Sequence, residues 1–262
     1  MENIYDVTAL GELLIDFTEN GTSAQGNPLL EANPGGAPCN VLAMLEKLGK
    51  KTAFIGKVGK DMFGEQLKTA VEEVGIDTRN LVMDEEVHTT LAFVHTYPDG
   101  DRDFSFYRNP GADMMLTIDE VPDDLIRDSR IFHFGTLSST HEGVRKATRH
   151  AIDVAKEAGC IVVLNAAPAI ELKDEYLAKT DILVVNEVEA AFYCKTEFVS
   201  LDKAIEEINK TAEKYGNNVI FTLGKDGAVV YEDGKIEVIP AMKVDAVETT
   251  GAGDSYIGAV SH

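Results

Sequence analysis

Six short apolar runs, at residues 7–10, 52–55, 131–134, 161–164, 182–185 and 219–223, recur along the chain with longer, helically periodic stretches between them. Runs this short and rich in Val and Ile suit strands better than helices, and their uniform apolarity leaves no wet face, so both sides must be covered. The intervening stretches at 40–48, 63–74, 141–158, 187–193 and 201–215 read as amphipathic helices. Right-handed crossovers then bury a mostly parallel sheet between helices, and the predicted class is α/β. The 262 residues contain no fixed-period repeat and suit one large domain over 1–262.

Two segments break this rhythm. Residues 12–31 and 89–106 alternate apolar and polar side chains, as in LAFVHTYPDGDRDFSFY, where Pro98-Asp99-Gly100-Asp101 reads as a hairpin turn. Such strands cannot join a core that is apolar on both faces. They are expected to form a small antiparallel sheet, a lid built from about 12–34 and 88–110, with exposed apolar side chains at 92–94 and 104–106 through which two lids pair in a homodimer.

Charge and cysteine usage exclude several function classes. Lys and Arg number 24 against 45 Asp and Glu, a formal charge of −21 that repels nucleic-acid phosphates and anionic lipid. The densest basic cluster, Lys47, Lys50 and Lys51, is too small to reverse this, so neither nucleic acid nor membrane is an expected partner. Cys39, Cys160 and Cys194 are too far apart in sequence for a metal-binding pair or a disulfide framework, which points to a reducing cytoplasm. The opening MENIYDVTALGELLIDF lacks a basic stretch before its apolar residues, and no run approaches 18 apolar residues.

Chemistry concentrates in two glycine-rich segments, each ahead of a helix. In ETTGAGDSYIGAV, backbone N–H groups at Ala252, Gly253 and Asp254 would point out of a helix start that favours an anion, and Gly251 and Gly253 let it approach closely. Asp254 would stand beside that anion hole, placed to take a proton from an attacking hydroxyl. The same residues also fit a plain turn with Asp as a helix cap. No GxxxxGK[ST] occurs, so a P-loop is excluded. In NPGGAPCN, Gly35 and Gly36 permit close approach of a ligand, and Asn40 can donate to and accept from a hydroxyl. Asp16, an acid inside the apolar GELLIDF, either reads paired sugar hydroxyls or faces solvent on an edge strand.

In combination these segments resemble the ribokinase-like (PfkB) carbohydrate kinases over nearly the whole chain. GGAPCN, followed by Gly49 and Gly59, is similar to the family's N-terminal signature, with Leu42 where a small residue is usual. TTGAGDSYIGA is similar to the C-terminal signature, and Asn186-Glu187-Val188-Glu189 to the NxxE motif. The resemblance implies a three-layer αβα sandwich with a β lid and ATP-dependent transfer of a phosphoryl group to a sugar hydroxyl. It makes Asp254 the catalytic base and Gly251, Ala252 and Gly253 the anion hole. Asn186 and Glu189 would organise Mg²⁺ and the ATP phosphates, Glu189 through water, while Thr222, Gly224 and Gly227 would line the nucleotide side. Asp16, Gly35, Gly36 and Asn40 would form the sugar site.

Within the family FSFYRNPGADMML resembles the fructokinase branch, in which Arg108 would reach the sugar from the lid, making fructose the first expected substrate. VVLNAAPAIEL instead resembles the ribokinase branch, which is compatible with a divergent fructokinase or a hybrid joined near residue 160. Ribose, 2-keto-3-deoxygluconate and nucleosides are the other expected substrates. Glu248 stands where many relatives carry an Asp of a monovalent-cation site, which leaves a K⁺ requirement open. Relatives continue past the helix that starts near Ala252, so the resemblance implies a C-terminally shortened chain, with a catalytically impaired sugar-binding fragment as the alternative function.

Overall fold

The computed structural model describes residues 4–96, 102–171, 174–197, 200–244 and 251–262. Its larger sheet runs in the spatial order β13 (Lys235–Ile239), β12 (Ala228–Glu232), β11 (Asn218–Thr222), β10 (Ile182–Asn186), β9 (Ile161–Asn165), β8 (Ser129–Gly135), β1 (Tyr5–Leu10), β4 (Thr52–Gly59), β5 (Leu81–Asp84). From β11 to β5 every pairing is parallel, and β12 and β13 extend one edge antiparallel. All six predicted core strands are present. The sheet edges β5, β12 and β13, which are less uniformly buried, are added to them.

Strict alternation along the strands divides the interior into two cores. Ala9, Ile131, Val163, Val184 and Ile220 pack with α1 (Ala37–Lys47), α2 (Met62–Val74) and α8 (Ala252–Val260). Their neighbours Leu10, Phe132, Leu164, Leu183 and Phe221 pack with α3 (Asp123–Arg127), α4 (Glu142–Ala158), α5 (Asp174–Ala178), α6 (Glu187–Cys194) and α7 (Leu201–Tyr215). Both faces are therefore dry, as the apolar runs require. Helix ends follow local chemistry: Asp61 accepts hydrogen bonds from Phe63 and Gly64 at the start of α2, Ser200 caps α7, and α4 and α7 stop at left-handed Gly159 and Gly216. Helix α1 begins three residues before the expected 40, since Pro38 fits a first turn that needs no amide donor.

The lid is a four-stranded sheet in the order β3 (Pro28–Gly35), β2 (Leu14–Thr22), β6 (Leu91–Thr96), β7 (Arg102–Tyr107). It contains the two expected antiparallel pairs, β2 with β3 and β6 with β7, but they are joined through a parallel pair, Ile15 opposite Leu91 through Thr18 opposite Val94. Each antiparallel pair leaves the main sheet by its first strand and returns by its second, so the two first strands run alike. Stacked Phe17 and Phe93, with Phe63 of α2 edge-on to Phe17, seat the lid on the body. The expectation of exposed side chains at 92–94 fails at Ala92, which is fully buried on a central strand between Asp16 and Phe106. Residues 98–101, the expected turn, lie outside the described residues, as does the side chain of Phe104.

Candidate active site

Parallel strands end together at one rim of the sheet, and ligands in open α/β folds bind beyond those carboxyl ends. Here β9 closes on Asn165, β10 on Asn186 and β11 on Thr222, while the lid rises next to the end of β1. A cleft of about 600 Å³ lies between rim and lid, lined among others by Asp16, Thr18, Asn33, Asn40, Lys47 and Gly251.

Asp254 sits in the first turn of α8, between Gly251 and Ser255, which line this cleft, and its carboxyl group meets Asn40, which lines it too. One oxygen, Oδ2, accepts a hydrogen bond from Asn40 Nδ2 at 2.9 Å, and Oδ1 accepts one from Asn165 Nδ2 at 3.2 Å. Burial raises its pKa above the ordinary Asp value, and the two amide donors act against that rise by favouring the ionised form. The carboxyl is thereby held in one orientation as a proton acceptor. Close approach of α8 to α1 makes this meeting possible: a Cβ on Gly258 would lie 2.8 Å from Val41 O and from Met44 Cβ.

The start of α8 suits an anion. Gly251, at φ 71°, turns the chain into the helix in a left-handed conformation, and no side chain caps the first-turn amides. A Cβ on Gly253 would meet nothing within 4 Å, so no described neighbour packs against that position. Asp16 faces Asp254 from lid strand β2. Burial first, and the charge of Asp254 second, push its pKa up to about 6. Gly35 stands beside it, where a Cβ would lie 2.1 Å from Asp16 Oδ2, and Gly36 at φ 121° makes the bend from β3 into α1.

Asn186 and Glu189 form a reciprocal cap at the start of α6. Asn186 Oδ1 accepts from the amides of Val188 and Glu189 at 2.9 and 3.0 Å, and Glu189 Oε2 accepts from the Asn186 amide at 2.8 Å. Glu189 is 6% exposed and its pKa is raised, by burial first and also by the charge of Asp254. Gly224 and Gly227 make the turn from β11 to β12, in which the Leu223 amide donates to Gly227 O at 2.8 Å, and Thr222 lies just before it. Among the described residues no three His, Cys, Asp or Glu side chains gather as a metal cluster. Glu248 lies outside the described residues.

Arg108 is placed at the base of the lid and is not among the residues lining this cleft. Its Nε donates to Asp113 Oδ2 at 2.8 Å and its Nη1 to Thr140 Oγ1 at 2.7 Å, with side-chain exposures of 8% for Arg108 and 2% for Asp113. Sequence reasoning did not single out Asn165, whose signal is a polar residue closing the apolar run IVVL at the strand's carboxyl end. It also passed over Glu12, buried where β1 gives way to the lid.

The pattern of the pfkB family carbohydrate kinases matches residues 5–262. Fructokinase-1 of Zea mays is 38% identical over 266 aligned residues, which cover 97% of this chain and 81% of the maize protein. A fructokinase of Xylella fastidiosa has a structure that superposes with a TM-score of 0.82 at 25% identity, covering 98% of this chain and 80% of that one. A protein of the ribokinase type from E. coli, solved with ATP and Mg²⁺, superposes with a TM-score of 0.84 at 24% identity, covering 98% and 85%.

Proposed function

Because the chain belongs to the pfkB family of carbohydrate kinases, we propose that it transfers the γ-phosphoryl group of ATP to fructose, giving fructose 6-phosphate. The observation that carries this reading is the Asp254 carboxyl, fixed by two amides at the mouth of an uncapped helix and facing Asp16 across the cleft. Asp16 accepts hydrogen bonds from sugar hydroxyls, with Asn40 beside it. Asp254 takes the proton of the hydroxyl that attacks, and the amides of Ala252, Gly253 and Asp254 meet the charge on the transferring group.

The donors present fit a nucleotide whose Mg²⁺ is held mainly by its own phosphates: a single buried carboxyl at Glu189, both of whose oxygens already accept hydrogen bonds, suits contact through water better than direct ligation. When bound, Mg²⁺ supplies neutralisation of phosphate charge. Thr222, Gly224 and Gly227 border the nucleotide. Ribose is the second reading, since Asn165, from the stretch that resembles ribokinases, touches Asp254. Release of ADP with fructose, ribose, 2-keto-3-deoxygluconate and a nucleoside tests the assignment. Fructose is expected to give the highest kcat/KM, and a higher value with ribose would move the reading to the second sugar.

The raised pKa of Asp16 makes sugar binding acid-sensitive. Below about 6 the carboxyl is neutral and loses its strength as an acceptor, so affinity is expected to fall as pH drops from 7 to 5. Calorimetry with sugar alone reads this without the transfer step. Affinity that stays level over that range would remove Asp16 from the sugar site.

The lid is read as a dimer surface. Leu29, Leu30, Phe106 and Tyr107 are all exposed, Tyr107 to 67%. Sedimentation at micromolar concentration is expected to give a dimer, and a monomer would assign these side chains to the ligand or to solvent. With Cys39 and Cys160 buried as free thiols, and no helix among the described residues long and apolar enough to cross a membrane, the proposed compartment is the cytoplasm.

A further inference from the structure

The chain first passes from the body to the lid at Gly11-Glu12-Leu13, between β1 and β2, and first returns at Gly36, between β3 and α1. These two crossings touch. Glu12 is 4% exposed, and its Oε1 accepts a hydrogen bond from the Ala37 amide, the first residue of α1, at 3.1 Å. The backbone packs as closely: a Cβ on Gly36 would lie 2.5 Å from Glu12 O, and a Cβ on Gly11 2.6 Å from Pro38 Cγ. Asp16 lies four residues beyond Glu12 on the lid, and Asn40 three residues beyond Ala37 on the body. The angle between these crossings therefore sets the separation of the two side chains assigned to the sugar.

We propose that Glu12 is a positioning residue for the sugar subsite, fixing through Ala37 and Gly36 the angle at which the strand carrying Asp16 meets the helix carrying Asn40. This rests on the sugar-kinase reading of the cleft. Glu12 touches neither the cleft nor Asp254; it acts through the turn.

The side chain does this as a neutral acid. Among the described residues its Oε2 has no hydrogen-bond partner, which a buried carboxylate tolerates less well than a neutral acid. Burial pushes its pKa up to about 8. Among the described residues the titratable or charged groups that face it include Asp113, whose charge raises the pKa further, Arg108, which opposes this but is engaged by Asp113, and the Cys39 thiol of α1, itself held well above its usual range. As pH rises through about 8, a charge appears beside Asp113 in a buried site, and the turn must loosen to hydrate it.

Glu12→Gln and Glu12→Ala separate the possibilities. Gln keeps the acceptor for Ala37 and cannot ionise; Ala loses the acceptor. At pH 7 Glu12→Ala is expected to raise the sugar KM about tenfold, the weight of one lost buried hydrogen bond, with the ATP KM unchanged, while Glu12→Gln restores it. Above pH 8 the sugar KM of the unaltered protein is expected to rise and that of Glu12→Gln to stay level. Hydrogen exchange of the amides at 35–37 and 39–41 at pH 7 is expected to quicken in Glu12→Ala alone, a readout that needs no substrate. Should Glu12→Ala fail to fold, Glu12→Gln against the unaltered protein over pH 6–9.5 decides. Equal damage by Gln and Ala, parallel pH profiles, or unchanged exchange in Glu12→Ala would overturn the proposal. If the unaltered protein phosphorylates none of the sugars, the kinase reading fails, and the exchange measurement still judges Glu12.

Discussion

Asp254→Asn is expected to lower kcat by about 10²- to 10⁴-fold, the usual contribution of a general base, while sugar affinity changes little. Asn is nearly the same size but cannot take up the hydroxyl proton at neutral pH. It also presents an NH₂ group where the carboxylate presented a second oxygen, so one of the donors from Asn40 and Asn165 would meet another donor. Either amide can turn over to offer its carbonyl, which keeps the local cost near about 1 kcal/mol. Removing the Asp254 charge has a further consequence across the cleft. That charge helps raise the Asp16 pKa, so the acid limb of sugar binding should move below its position near 6. Activity above about a tenth of the original would contradict the base role.

The core strands were legible because a strand dry on both faces has no alternative but continuous apolar residues. Where a buried strand carries a charge, that signal fails. β4 was expected to stop at Ile55, yet it continues to Gly59 through Lys57, whose amine donates to Met115 O at 3.2 Å and pairs with Glu120 at 2.7 Å and Asp84 at 3.3 Å. A lysine satisfied on three sides can occupy a core position, but its partners lie 27 to 63 residues away and leave no local mark. The lid pairs were readable from alternation and their parallel junction was not, because alternation specifies which face is buried and says nothing of which neighbour lies alongside.

The glycine-rich segments announced a place for close backbone approach, and the structure brings Asp16, Asn40, Gly35 and Gly251 to one cleft. Arg108 marks the limit of that reasoning. A cation one residue past a lid strand carries no sign in the sequence of its partner, and Asp113, five residues on, holds it in a buried pair. Asn165 and Glu12 show the converse. Each is a single polar residue at or just past a strand end, a common place for a simple cap, and each gains meaning only from a contact far along the chain, Asp254 for one and Ala37 for the other.

Gly35→Ala is expected to weaken sugar binding by about 10- to 100-fold, the range for losing a hydrogen bond to a charged group, with little change in thermal stability. Gly35 lacks the left-handed backbone that distinguishes Gly36, so alanine can adopt its conformation without strain. Space is the constraint. A methyl group here would lie 2.1 Å from Asp16 Oδ2 and 2.9 Å from its Cγ, with Leu14 Cδ1 next at 3.4 Å. The Asp16 side chain is short and must swing away, taking its acceptor oxygens out of the cleft and leaving the fold around it intact. Calorimetric sugar binding and thermal unfolding of Gly35→Ala, Asp16→Ala and the double variant make the cause explicit. If the glycine acts only by leaving room for that carboxylate, the loss from Gly35→Ala should vanish once Asp16 is already alanine. Additive losses would mean that Gly35 meets the sugar through its own backbone, and the cleft would then recognise its substrate from the turn as well as from Asp16.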